Sequence, residues 1–178
     1  MYALGGTALT ILNIKNSTLD VDINIATDKE YKDIIRLFEQ IGFEKIGLIR
    51  WITQDGLAFD IFKESYILGT GLLPDCLKRS KYIRTFNNIE LYTLSLEDII
   101  ISKLARGDLR DFDDIRQIFE KTEMNLSYLV KRYKDTMKIS VVFNYKQKLL
   151  DLISIKFKEW NFIINKELID EVNKWEQT

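Results

Sequence analysis

Histidine is absent from this chain of 178 residues, cysteine occurs once, at Cys76, and proline once, at Pro74. Without histidine there is no Ser-His-Asp or Cys-His catalysis and no His-ligated zinc. A lone cysteine excludes an intrachain disulfide framework and fits a reducing compartment. One proline and eight glycines leave little linker or low-complexity character, and no internal repeat is visible. No apolar run approaches the ~20 residues that a membrane span needs. No basic segment precedes an apolar one at the N-terminus, so no leader is expected and the expected location is cytoplasmic. Charge of one sign is also lacking: 26 Lys and Arg stand against 27 Asp and Glu. A nucleic-acid partner would therefore need a local patch. If the chain is an enzyme, carboxylates, lysines, arginines or a metal must do the work.

What is present is a pattern near the start. Thr18-Leu19-Asp20-Val21-Asp22-Ile23-Asn24-Ile25 alternates, with Leu19, Val21, Ile23 and Ile25 on one face of a strand and Thr18, Asp20, Asp22 and Asn24 on the other. Two carboxylates two residues apart on a strand point the same way, with Cα atoms roughly 6–7 Å apart. Two accounts of that face stand open. It is a solvated polar face of an edge strand, or it holds a divalent cation that relieves the like-charge repulsion with hard oxygen ligands. Asp is depleted in strands, so a pair in one short strand calls for a reason. A third carboxylate, Asp60, lies in the strand-like run Leu57–Phe62, and Gly5-Gly6 precedes a short helical stretch.

The rest of the chain divides by pattern. Tyr2-Ala3-Leu4 ends a first strand, and Thr7 to about Leu12 forms a brief helix. Thr27-Asp28-Lys29-Glu30 is a capping box. It starts a helix carrying Tyr31, Ile34, Ile35, Phe38 and Ile41 and stopping at Gly42. Lys45–Ile52 and Leu57–Phe62 are two strand runs joined across Gln54-Asp55-Gly56, a hairpin signal. Residues 66–80 carry no regular pattern. Ile83–Phe86 and Ile89–Thr93 form a second hairpin over Asn87-Asn88. Near residue 95 the composition turns helical. Ser95-Leu96-Glu97-Asp98 opens one helix, ending near Arg106-Gly107, and Asp108 opens the next, with Phe112, Ile115, Ile118 and Phe119 on one face. From about Asn125 to the end the pattern predicts three more amphipathic helices.

In order along the chain stand Gly5-Gly6-Thr7-Ala8-Leu9, Thr18-Leu19-Asp20-Val21-Asp22, Phe59-Asp60-Ile61, and Ser102-Lys103-Leu104-Ala105-Arg106 with Arg110-Asp111-Phe112-Asp113-Asp114. This series resembles the minimal nucleotidyltransferases of the polymerase-beta type, and more narrowly those grouped with the AbiEii abortive-infection toxins. The resemblance covers roughly residues 3–120. It implies an α+β fold: a nucleotidyltransferase-like mixed β-sheet flanked by helices over 1–120, with a C-terminal helical extension over 121–178 packed on it. It implies transfer of a nucleoside monophosphate from a nucleoside triphosphate to an acceptor hydroxyl on RNA, protein or a small molecule. It also implies a toxin or phage-defence role with a cognate antitoxin as partner. Asp20, Asp22 and Asp60 would hold Mg2+ or Mn2+, with Asp60 alternatively the base toward the acceptor. Gly5, Gly6 and Thr7 would approach the triphosphate, Thr7 standing where many relatives place a phosphate-contacting serine. Lys103, Arg106 and Arg110 would neutralise phosphate charge.

Simpler roles stand beside these. Gly5-Gly6 is equally a tight turn. Lys103 and Arg106 fit a solvated helix face, and Arg110-Asp111 fits a structural ion pair. The tail aromatics Tyr128, Tyr133, Trp160 and Trp175 fit either a core or a partner surface. The alternative function is a catalytically inactive module that keeps the fold and binds a nucleotide or a protein.

Overall fold

The computed structural model describes residues 1–63, 66, 67 and 69–176. The strands are β1 (Tyr2–Ala3), β2 (Asp20–Ile25), β3 (Glu44–Lys45), β4 (Arg50–Ile52), β5 (Ala58–Lys63), β6 (Tyr66–Ile67), β7 (Thr70–Gly71), β8 (Lys81–Phe86) and β9 (Ile89–Thr93). The helices are α1 (Gly5–Ile11), α2 (Asp28–Gln40), α3 (Cys76–Arg79), α4 (Leu96–Arg106), α5 (Leu109–Lys121), α6 (Leu126–Met137), α7 (Tyr145–Leu150), α8 (Phe157–Glu159) and α9 (Lys166–Asn173). A π-helical segment, Asp151–Lys156, joins α7 to α8. The fold is thus α+β, a mixed sheet with flanking helices and C-terminal helices, as expected. Two compact units form: Met1–Ile67 with Pro74–Ile99, and Leu68–Leu73 with Ile100–Thr178.

In the first unit seven strands run in the order β3-β4-β5-β2-β1-β9-β8. β2 pairs with β5 in parallel, and β1 with β9 in parallel. The other pairs are antiparallel. The alternation in β2 sorts the two faces of the sheet. Ile23 and Ile25 join Phe38, Trp51 and Ile61 in one buried cluster, with Val21, Tyr31, Ile34, Ile35 and Phe59 packed against it. α2 therefore covers the apolar face, and each fully buried Ile or Phe contributes roughly 1.5–3 kcal/mol. The polar members Asp20, Asp22 and Asn24 take the opposite face. Thr27 is the N-cap of α2: its hydroxyl accepts from the Glu30 amide at 3.2 Å and donates to the Glu30 carboxylate at 2.9 Å, in place of the backbone bond of a full capping box. Gly42, at φ +81°, ends the helix segment.

One expectation needs correction. Lys45–Ile52 is not a single strand. It folds back on itself as β3 and β4, with Lys45 opposite Trp51 and Glu44 opposite Ile52. Ile46-Gly47-Leu48-Ile49 makes the turn, so the alternating apolar residues there are a bend and not a ladder.

Among its described residues the second unit consists of helices, the loops that join them and the short strand β7. Ile115, Ile118, Leu129, Val130, Leu152 and Ile153 are buried within it. The three expected tail helices correspond to α6, the continuous helical run from α7 to α8, and α9. Residues 177 and 178 lie outside the described residues. Tyr133 is a core residue: it is 1% exposed, and its hydroxyl donates to the Tyr145 carbonyl at 2.8 Å. Trp175 packs on Tyr145 and Tyr133, and Trp160 on Phe157 and Phe162.

Candidate active site

The site grows from strand register. Asp22 on β2 lies directly beside Asp60 on β5 in a parallel pair, and Asp20 lies beside Ala58. Side chains beside each other on neighbouring strands share a face. Asp20, Asp22 and Asp60 accordingly converge, each offering one carboxylate oxygen within 4.8 Å of the other two. Asp60 is nearly buried, with a side chain 11% exposed, while Asp20 is open to solvent at 38%. The donor set fits a divalent ion of the Mg2+ or Mn2+ type. It is all oxygen, anionic, and close enough for one small cation to be reached from three sides.

Gly5 and Gly6 close one side of this cluster. Gly5 sits at φ +46°, and a Cβ placed on it would stand 2.9 Å from Asp22 Oδ2; a Cβ on Gly6 would stand 2.7 Å from Thr18 Oγ1. Gly5 is therefore required by close approach to Asp22, and Gly6 by close approach to Thr18, beyond any need for a turn. Thr7 follows, and its hydroxyl is engaged with the strand. It accepts from the Asp22 amide at 2.8 Å and donates to the Asp20 carbonyl at 3.3 Å.

The sequence pattern missed one residue of this site. Arg50 on β4 is the cross-strand partner of Asp60. Its Nε donates to Asp60 Oδ1 at 2.7 Å and its Nη2 to Oδ2 at 2.6 Å, a two-pronged pair. The same Nη2 stands 3.6 Å from Asp20 Oδ2. These Asp60 hydrogen bonds, then the negative charge of Asp60 itself, hold the guanidinium charged well above its ordinary range, with Asp20 and Asp22 adding to the effect. A signal was available. The hairpin is centred on Asp55, so five residues back faces five residues forward, and Arg50 meets Asp60.

The cations of the C-terminal motif belong to the second unit. The Lys103 side chain is 4% exposed, and its ammonium donates to Asp114 at 2.6 Å and to Asp111 at 3.4 Å. Arg106 donates through Nε to Asp111 Oδ2 at 2.8 Å and through Nη2 to Oδ1, while about two-fifths of its side chain stays exposed. Asp111 also accepts from the Asp108 amide, closing a capping box at the start of α5. Burial would push the Asp111 carboxyl up, but the Arg106 hydrogen bonds and charge, with Lys103 and the Asp108 amide, hold it below the usual range. Arg110 is exposed, and the partners of Asp111 are Lys103 and Arg106.

A mixed sheet that carries three convergent carboxylates beside a Gly-Gly helix entry is the arrangement of a nucleotidyltransferase. The comparison of families agrees: the model described as "nucleotidyltransferase of unknown function (DUF6036)" matches residues 2–168, and the chain belongs to that family. No protein of curated function matches the chain significantly. Among the described residues no helix is long and apolar enough to cross a membrane.

Proposed function

We propose that this chain transfers a nucleoside monophosphate from a nucleoside triphosphate to an acceptor hydroxyl, with Mg2+ or Mn2+ held by Asp20, Asp22 and Asp60. The observation that carries this reading is the convergence of the three carboxylates within 4.8 Å on the face of the sheet that α2 leaves uncovered. A divalent ion bound there supplies charge neutralisation for the phosphate under attack and for the departing pyrophosphate. The chain's own residues do the rest. Asp22 and Asp60, side by side on parallel strands, fix the donor set on rigid backbone. Gly5 and Gly6 let the backbone pack directly against the carboxylate strand where a side chain would strike Asp22 or Thr18. With no histidine in the chain, the acceptor proton goes to solvent, or to Asp60 where that carboxylate serves as base instead of as a ligand of the ion. Arg106 spends Nε and Nη2 on Asp111, and Arg110 is exposed. Lys103 is already committed to Asp114 and Asp111.

The acceptor is RNA, a protein side chain or a small molecule, and the resemblance to AbiEii toxins supports a toxin or phage-defence role with an antitoxin partner. One observation favours the second reading, an inactive nucleotide-binding or protein-binding module: Arg50 already occupies both oxygens of Asp60. Single-turnover transfer from α-labelled triphosphates to total RNA and protein separates the two. Wild type labels an acceptor only with a divalent ion, and Asp22→Asn loses several orders of magnitude in rate. Equal labelling by both proteins would sink the enzymatic reading.

A further inference from the structure

Arg50 places a positive charge among carboxylates that would otherwise face a cation alone. β4 and β5 are already joined by their backbone ladder, yet the guanidinium spans from Asp60 to within 3.6 Å of Asp20. Three carboxylates and one guanidinium leave the cluster two negative charges, the complement of one divalent ion. A cation entering among the three oxygens competes with Arg50 for Asp60 and repels it at close range. The arginine side chain is 44% exposed, so its way outward to solvent is open. Its planar fork then presents N–H groups matched to phosphate oxygens, on the same face as the carboxylates.

We propose that Arg50 is the built-in counter-cation of the triad, yielding Asp60 when a divalent ion enters and turning to a phosphate oxygen of the triphosphate. This rests on the metal-site reading above. It makes metal loading and phosphate binding mutually dependent. Without phosphate, Arg50 opposes the ion. With phosphate, the guanidinium has a new partner and the opposition disappears.

The test is direct binding of Mn2+ to the full chain, followed by electron paramagnetic resonance and calorimetry, with and without inorganic tripolyphosphate. Arg50→Gln should bind Mn2+ about tenfold more tightly than wild type when phosphate is absent, because a competing positive charge is removed. It should bind tripolyphosphate in the presence of Mn2+ about tenfold more weakly. Arg50→Lys keeps the charge and loses the fork; its gain in Mn2+ affinity should be smaller, about threefold. This second variant decides the matter if circular dichroism shows Arg50→Gln unfolded. Mn2+ affinity unchanged or weakened in the folded variants overturns the counter-cation role, and unchanged tripolyphosphate binding overturns the phosphate role. Asp20→Asn is the control. If it too leaves Mn2+ affinity at the wild-type value, the metal-site reading itself has failed, and the proposal with it.

Discussion

Arg50 and Asp60 face one another across neighbouring antiparallel strands, joined by two hydrogen bonds of 2.7 and 2.6 Å. The pair fastens a three-residue strand to the strand that carries the third carboxylate. Asp60→Ala should therefore cost stability as well as any metal affinity. Hydrogen bonds to charged groups contribute about 1.5–3 kcal/mol, and the solvent-facing arginine recovers part of that from water. A loss of about 1–2 kcal/mol is expected in urea unfolding. Arg50→Ala should cost a similar amount, and the double variant less than the sum. Full additivity would show that the two side chains act independently.

Gly5→Ala should damage the site through backbone and space together. A non-glycine residue at φ +46° carries strain, and its Cβ would stand 2.9 Å from Asp22 Oδ2. The expected destabilisation is about 1–3 kcal/mol, with weakened Mn2+ binding because Asp22 must move. Gly56 is the comparison. It also has positive φ, at +87°, but nothing lies within 4 Å of its added Cβ. Gly56→Ala should lower the melting temperature without changing Mn2+ affinity. Equal loss of Mn2+ affinity in both variants would mean that general instability, not displacement of Asp22, is being read.

Much of this was legible in the sequence because it rests on local rules. The alternation of β2 placed Asp20 and Asp22 together, and capping residues at Thr27, Ser95 and Asp108 marked three helix starts that the structure reproduces. Asp-Gly and Asn-Asn marked the two hairpins. The split of 45–52 into β3 and β4 was not legible, since a bend with apolar residues on both sides mimics an alternating strand. Arg50 was overlooked for a related reason: its partner is set by register, and register across a hairpin emerges only when residues are counted outward from the turn. The pairing of Lys103 with Asp114 is non-local in another way. It joins α4 to α5, and a lysine three residues from an arginine on a helix carries no mark of burial.

The Lys103, Arg106, Asp111 and Asp114 network should behave as structure in the second unit. Asp111 is 1% exposed and Lys103 3%, so removing one partner leaves a buried charge uncompensated. Lys103→Ala should cost about 3–5 kcal/mol, measured by thermal unfolding. The pH dependence follows from Asp111. Its carboxyl is held below the ordinary value when folded, so the unfolded chain binds the proton first. Its contribution is complete above about pH 5 and is lost as pH falls through and below the usual carboxylate range. Asp111→Asn should flatten that acid limb of a stability-against-pH curve. An unchanged acid limb would assign acid unfolding to other carboxylates.

Thr7 provides a separate test, because β1 is too short to complete the sheet. Tyr2 and Ala3 pair with Asn24 and Ile23, and there the strand ends. Past that end, Leu4 and Thr7 bond the backbone of Asp20 and Asp22. Leu4 supplies an amide to the Asp22 carbonyl at 3.0 Å. The Thr7 hydroxyl accepts from the Asp22 amide and donates to the Asp20 carbonyl. One side chain thus anchors the backbone of two of the three carboxylate residues. Thr7→Val removes the hydroxyl at nearly constant volume and leaves a part-buried amide unsatisfied, a cost of about 1–3 kcal/mol. Thr7→Ser keeps the hydroxyl and should stay within about 1 kcal/mol of wild type. Mn2+ binding should weaken in Thr7→Val and hold in Thr7→Ser, because the strand backbone positions the carboxylates. A hydroxyl that serves triphosphate alone would give the opposite result: tripolyphosphate binding lost in Thr7→Val, with both the melting temperature and the Mn2+ affinity unchanged.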